Sequence, residues 1–124
     1  MEIKFRNGIA LVRDIKASRD FYTNSIGLKI SKEYDNIIFF EDNFVIHSAD
    51  LFYEYINKPY HGEKMGGDNV DFYFTTSDLK GYSEKLKANH VPFIHDIHKH
   101  EWGESVIRVY DPDGHILEIG DAHS

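Results

Sequence analysis

Cysteine is absent from the 124 residues. Disulfides, thiolate catalysis and zinc–cysteine centres are thereby excluded. Long apolar runs are missing too: no stretch approaches the roughly 20 residues that span a bilayer, so no membrane association is expected. The opening MEIKFRNG holds neither an apolar core nor a small-residue cleavage site, which argues against a secretory signal and for a cytoplasmic protein. No serine stands in a nucleophile-elbow context, and no glycine-rich loop fits phosphate binding. Positive charge is in short supply, with 14 Lys and Arg against 21 Asp and Glu and a net charge of −7. Such a surface repels phosphate backbones, so nucleic acid is not an expected partner. A cationic small molecule suits it slightly better than an anionic one, and the same charge keeps a protein soluble.

What is present describes one globular domain. Apolar residues make up 41% of the chain and aromatics 15%, enough to bury a core. Residues 3–12 read as a strand. Asp14 can cap a helix, and IKASRDFYTNSI follows with an approximate apolar stripe of Ile15, Phe21, Tyr22 and Ile26. Gly27 stands where a helix ends in a left-handed residue. Strands are predicted over 28–34, 37–41 and 44–49, joined by turns at Asp35-Asn36 and Asp42-Asn43. Residues 50–68 read as a linker with a short helical turn around 50–56. Its aromatics Phe52, Tyr53, Tyr55 and Tyr60 call for cover from the body of the protein or a second copy.

The pattern then starts again. A strand at 69–76 leads to a helix, LKGYSEKLKAN, capped by Ser77-Asp78 and stopped by a left-handed Asn89. A strand over 91–97, the loop HKHEWGE, a strand over 104–110, the turn DPDG and a strand over 115–119 complete the second copy. Asp14-Ile15-Lys16 matches Asp78-Leu79-Lys80, and the turn Asp42-Asn43 matches Asp113-Gly114. The two spacings differ by about the length of the loop HDIHKHE, which the first copy lacks. The fold class is therefore α+β: two tandem βαβββ modules, the first over 1–49, a linker over 50–68 and the second over 69–124.

Two segments carry a family resemblance. VRDIKASRDFYTNSIGLKI resembles the first strand–helix unit of the vicinal-oxygen-chelate superfamily, which includes glyoxalases, bleomycin-resistance proteins and extradiol dioxygenases. WGESVIRVYDPDGHILEIGD resembles its C-terminal hairpin, with the Trp-Gly pair, the DPDG turn and a glutamate four residues beyond the turn glycine. The resemblance covers nearly the whole chain. It implies a cupped, barrel-like mixed sheet around a cavity between the modules, and a homodimer.

The family places metal ligands on the first and last strand of each module. Carried through the repeat, those points are Asn7, His47, Asp71 and Glu118. Asp14 and Asp78 each lie seven residues after a first-strand point, and Asn43 and Gly114 each lie four before a last-strand point. Strand parity agrees: Val70, Phe72 and Phe74 form the apolar face of their strand, leaving Asp71 and Tyr73 to face the cavity. Metal-dependent members carry His or Gln on the first strands and Glu on the last. Here Asn, Asp, His and Glu stand instead, and Asn and Asp are shorter. Two readings follow. The four residues hold a divalent ion, Mn²⁺, Fe²⁺, Ni²⁺ or Zn²⁺, or they form a hydrogen-bonded cluster in a metal-free binding cavity.

Further candidates surround these four. Trp102 can stack on a planar ligand or a cation. Arg108 and Tyr110 precede the DPDG turn and are read as ligand contacts or support. His95, His98 and His100 are read as a solvated loop or the rim of the cavity. Two functions are expected. One is a binding protein of bleomycin-resistance type for a small aromatic or cationic molecule, with Asn7, His47, Asp71, Tyr73, Trp102 and Arg108 as its contacts. The other is a metal-dependent lyase or isomerase of glyoxalase type, with Glu118 or an unliganded neighbour moving a proton. Dioxygenase chemistry wants two imidazoles and a carboxylate around iron, and the four points offer one imidazole.

Overall fold

The computed structural model describes residues 1–122. The chain divides into two compact units, Met1–Met65 and a second from Gly66 onward. Each holds one four-stranded mixed sheet with helices, as the repeat predicts.

The first unit begins with β1, Gly8–Val12. Residues 1–7 belong to no strand, so the predicted strand over 3–12 is corrected to its second half. The register gives the reason: β1 pairs in parallel with β4, Phe44–Ser48, starting at Gly8 opposite Phe44. Ahead of Phe44 runs the tight turn Glu41–Asn43, which offers residues 3–7 no ladder. Helix α1, Ile15–Asp20, starts at Asp14, whose carboxylate accepts from the backbone N–H of Lys16 and Ala17 at 3.1 Å each. It runs on as a wider turn over Phe21–Ile26 and stops at Gly27, φ 92°. The antiparallel strands β2, Ile30–Glu33, and β3, Ile37–Phe40, complete the order β1-β4-β3-β2. Asp42 and Asn43 both adopt positive φ within the connection Glu41–Asn43, a conformation that short polar side chains tolerate. Ala10, Val12, Tyr22, Ile38, Phe40 and Ile46 are buried. Helix α2, Ala49–Tyr55, follows β4 directly and contacts both β1 and β4.

The second unit repeats this order as β5-β8-β7-β6. Strand β5, Asp71–Thr76, pairs in parallel with β8, Ile116–Asp121. Helix α3, Leu79–Ala88, is capped by Asp78, which accepts from Gly81 N at 2.9 Å. Its end differs from expectation: Asn89 keeps φ −93° and donates its amide to Lys85 O at 2.8 Å, while His90 takes the left-handed turn at φ 58°. Strand β6, Phe93–Lys99, reaches further than predicted, since His98 and Lys99 pair with Val106 and Ser105 of β7, Ser105–Tyr110. The predicted loop therefore shrinks to residues 100–104. Leu79, Leu86, Val106, Ile107, Val109, Leu117 and Ile119 are buried. Among the described residues no helix is long and apolar enough to cross a membrane.

Candidate functional site

Cross-strand register builds a polar row on one face of the second sheet. Tyr73 lies opposite Glu118, Glu118 opposite Arg108, and Arg108 opposite His95. Alternate residues point to opposite faces, so Leu117, Ile119, Ile107 and Val109 turn the other way and are fully or almost fully buried. The row is hydrogen-bonded along its length. Arg108 Nε donates to Glu118 Oε1 at 3.0 Å, and Arg108 Nη1 lies 3.0 Å from His95 Nε2. A guanidinium has only donors, so His95 Nε2 accepts; its Nδ1–H then donates to the carbonyl of Asp96 at 2.7 Å. At the other end Asp71 shares a hydrogen bond with Glu118.

These contacts set the charges. The Asp71 carboxyl is pushed up to about 6, first by loss of water and then by the hydrogen bond and negative charge of Glu118, with Arg108 opposing. Two carboxyl groups joined by a hydrogen bond favour sharing a proton. Glu118 and Arg108 are both largely withdrawn from solvent, with side chains 14% and 26% exposed, where an ion pair is screened little.

Beside the row stands an aromatic stack. His100 lies flat on Trp102, with ring centroids 4.2 Å apart and planes within 9°. His98 meets His100 edge-on at 5.0 Å, and His95 meets His98 at 5.9 Å. Trp102 Nε1 donates to Glu104 Oε2 at 3.1 Å, while its indole remains 70% exposed. His100 is held below the ordinary histidine value by loss of water, then by Arg108 and His98. Its Nε2 is enclosed and, among the described residues, has no hydrogen-bond partner. The phenol of Tyr73 reaches over Gly120: a Cβ there would stand 2.5 Å from the Tyr73 hydroxyl oxygen.

Of the predicted site residues, Asp71, Tyr73, Arg108 and Glu118 are thus brought together, with the Trp102 stack beside them. His47 and Asn7 belong to the first unit. His47 is buried on β4, its Nδ1–H donating to Ser48 O at 2.9 Å, and Phe52 and Tyr55 of α2 pack edge-on against its ring at 5.6 and 5.9 Å. Its register partner is Leu11, and Asn7 lies four residues earlier, ahead of β1. At about 3.3 Å per residue, that is roughly 13 Å along the strand. In the second unit the partner of Glu118 is Tyr73, only two residues after Asp71. The strand register therefore places Ile9, and not Asn7, at the position equivalent to Asp71.

Two features escaped the sequence. His95 lies within the strand predicted over 91–97, but its place opposite Arg108 was hidden, because register shifts on either side of it break the period-two signal. Asp111, Asp113 and His115 form a buried group whose candidate ligand atoms lie within 4.8 Å of one another. The DPDG turn explains it. Asp111 Oδ1 accepts from the backbone N–H of Asp113 and His115 at 2.9 and 2.8 Å, and Oδ2 accepts from His115 Nδ1 at 2.8 Å. The carboxylate that a cation would need is already committed to the turn.

The second unit's share of the four-point set fits a metal poorly for a related reason. Glu118 is balanced by Arg108, whose fixed positive charge would stand beside any bound cation, and the Asp71 carboxyl, pushed up to about 6, holds its proton more firmly than an ordinary carboxyl.

The chain resembles known proteins over nearly its whole length. A family model described as a glyoxalase-like domain matches residues 5–124. A crystal structure of a protein of unknown function from Agrobacterium tumefaciens str. C58 is 36% identical, covering 97% of this chain and 94% of that one with a TM-score of 0.90. A glyoxalase/bleomycin resistance protein/dioxygenase from Nocardioides is 21% identical over 97% of this chain and 83% of that one, with a TM-score of 0.78. A glyoxalase-related enzyme from Fulvimarina pelagi is also 21% identical, over 94% and 86%, with a TM-score of 0.79. The latter two share the fold. No curated protein matches the chain.

Proposed function

The chain belongs to the glyoxalase-like domain family of the vicinal-oxygen-chelate superfamily, and from that membership we propose that it binds a small planar molecule without a metal, on the polar face of its second sheet. The observation that carries this reading is the Arg108–Glu118 pair. It supplies within the protein the positive charge that a metal would otherwise bring to Glu118. What faces a ligand is then a row of donors and acceptors, Asp71, Glu118, Arg108 and His95, in which Arg108 balances the charge of Glu118, beside an exposed indole. An aromatic ring stacks on Trp102, and its polar edge takes the hydrogen bonds of the row.

Trp102 is the chain's single tryptophan, so its fluorescence reports directly on stacking. Titration with a panel of planar aromatic and heteroaromatic compounds should quench it saturably. Trp102→Ala should weaken the same ligands about tenfold by calorimetry, in line with the loss of an aromatic contact of about 1 kcal/mol or slightly more. Elemental analysis of protein purified without chelator or metal-affinity tag should show well under one equivalent of Mn, Fe, Ni or Zn. One full equivalent, lost on Glu118→Gln, would overturn the reading.

A second reading, a lyase or isomerase, draws on Asp71. A carboxyl that titrates about 6 can both give and take a proton near neutral pH, with Glu118 as its partner. Turnover under this reading would follow a pH profile with an inflection near 6 that Asp71→Asn abolishes.

A further inference from the structure

Residues 1–6 are exposed and belong to no strand, yet their composition is that of one. Met1, Ile3 and Phe5 alternate with Glu2, Lys4 and Arg6. Period-two alternation describes a strand with one apolar and one charged face. The three apolar side chains are 125%, 98% and 87% exposed, as open to water as side chains can be. Within the first unit, β1 is an edge strand and the segment precedes it, beyond the point where β4 has begun. The first unit therefore carries an exposed segment with strand-like alternation and an uncovered apolar set, the kind of element that recruits another chain.

The segment itself indicates which chain. When two copies run antiparallel about a twofold axis through Ile3, Ile3 meets Ile3 and Met1 meets Phe5 in both directions. In the same register Glu2 lies opposite Lys4, twice. Every apolar residue then faces an apolar one, and both cross-strand charge pairs are of opposite sign, the arrangement that stabilises antiparallel neighbours. A shift of the axis to Lys4 sets Lys4 against Lys4 and Met1 against the polar Asn7. Self-complementarity of this kind is what a twofold, isologous contact requires. We propose that residues 1–5 form an antiparallel two-stranded contact with the same segment of a second copy of this chain, centred on Ile3.

The absence of cysteine makes the test clean. Single Ile3→Cys and Lys4→Cys variants each carry one thiol, in a segment whose side chains are not buried, so both should melt like the wild type. Across the Ile3 axis the two thiols of Ile3→Cys stand directly opposite each other, whereas those of Lys4→Cys are offset diagonally. Under mild oxidation Ile3→Cys should form a covalent dimer at least ten times faster than Lys4→Cys. In sedimentation, Glu2→Lys and Lys4→Glu should each weaken the wild-type dimer, and the double exchange should restore it. Equal cross-linking of the two cysteine variants, failure of the double exchange to restore association, or a wild-type monomer at tens of micromolar would each overturn the proposal.

Discussion

Asp71 holds its proton into the range where most carboxyl groups have lost theirs. Its value of about 6 in the folded chain stands above an ordinary 3.8, so the folded state binds the extra proton. The sign follows: the favourable contribution is complete below about 3.8 and is lost as pH rises through 6. Asp71→Asn keeps the shape and removes the titration. Its melting temperature should match the wild type at pH 4 and exceed it at pH 8, by the equivalent of about 1 kcal/mol once solvent screening is allowed for. Glu118→Gln should go the other way and destabilise by about 2 kcal/mol at neutral pH, because Arg108 keeps its charge and loses its partner. A urea titration of the two variants separates these outcomes. At this scale the sequence was partly readable. Parity alone put Asp71 and Tyr73 on one face, because a strand allows only two faces; Glu118 joined them through the ligand points of the family. The link from Arg108 to His95 depends on an irregularity in β6 that no residue type announces.

At the scale of elements, the turns were the most legible features. Asp14, Gly27 and Asp78 act where their chemistry requires, and Asp42-Asn43 makes its turn with both residues at positive φ. Less legible was the Gly66-Gly67 pair, which reads as loose linker. Gly66 in fact lies against the DPDG turn: a Cβ on it would stand 2.7 Å from Gly114 O and 2.8 Å from Asp113 O, at φ +80°. Gly67 shares a positive φ of +77° but has open space around it. Gly66→Ala should therefore cost about 2 kcal/mol or more by thermal or urea melt, and Gly67→Ala only about 1 kcal/mol, the strain of the left-handed backbone alone. Asp96 is another element-scale tie. It accepts from Ser83 Oγ at 2.7 Å and Lys87 Nζ at 2.5 Å, fastening α3 to β6, and these contacts hold its carboxyl down to about 2, Lys87 first. Nothing in the local sequence marks it, since the partners lie on a different element.

For the whole molecule, the internal repeat carried the fold class, and family membership agrees with it. What the repeat could not carry was register, because helix-to-strand spacing and strand-to-strand spacing drift apart; Asn7 and Ile9 differ by that drift. Both units share one further trait of topology. The strand that comes last in the chain lies inside the sheet: β4 between β1 and β3, and β8 between β5 and β7. A ribosome delivers residues in order, so each unit waits for its keystone. β1, β2 and β3 emerge with no place for β1 to pair until Phe44–Ser48 follows, and β5 stays single until Ile116–Asp121 appears. Such first-to-last pairing closes a long loop before it is rewarded, which slows folding. During synthesis the nascent second unit is thus an incomplete sheet for nearly its whole length, and a released chain truncated after His115 should be cut by protease within β5 and β7 while the completed first unit resists.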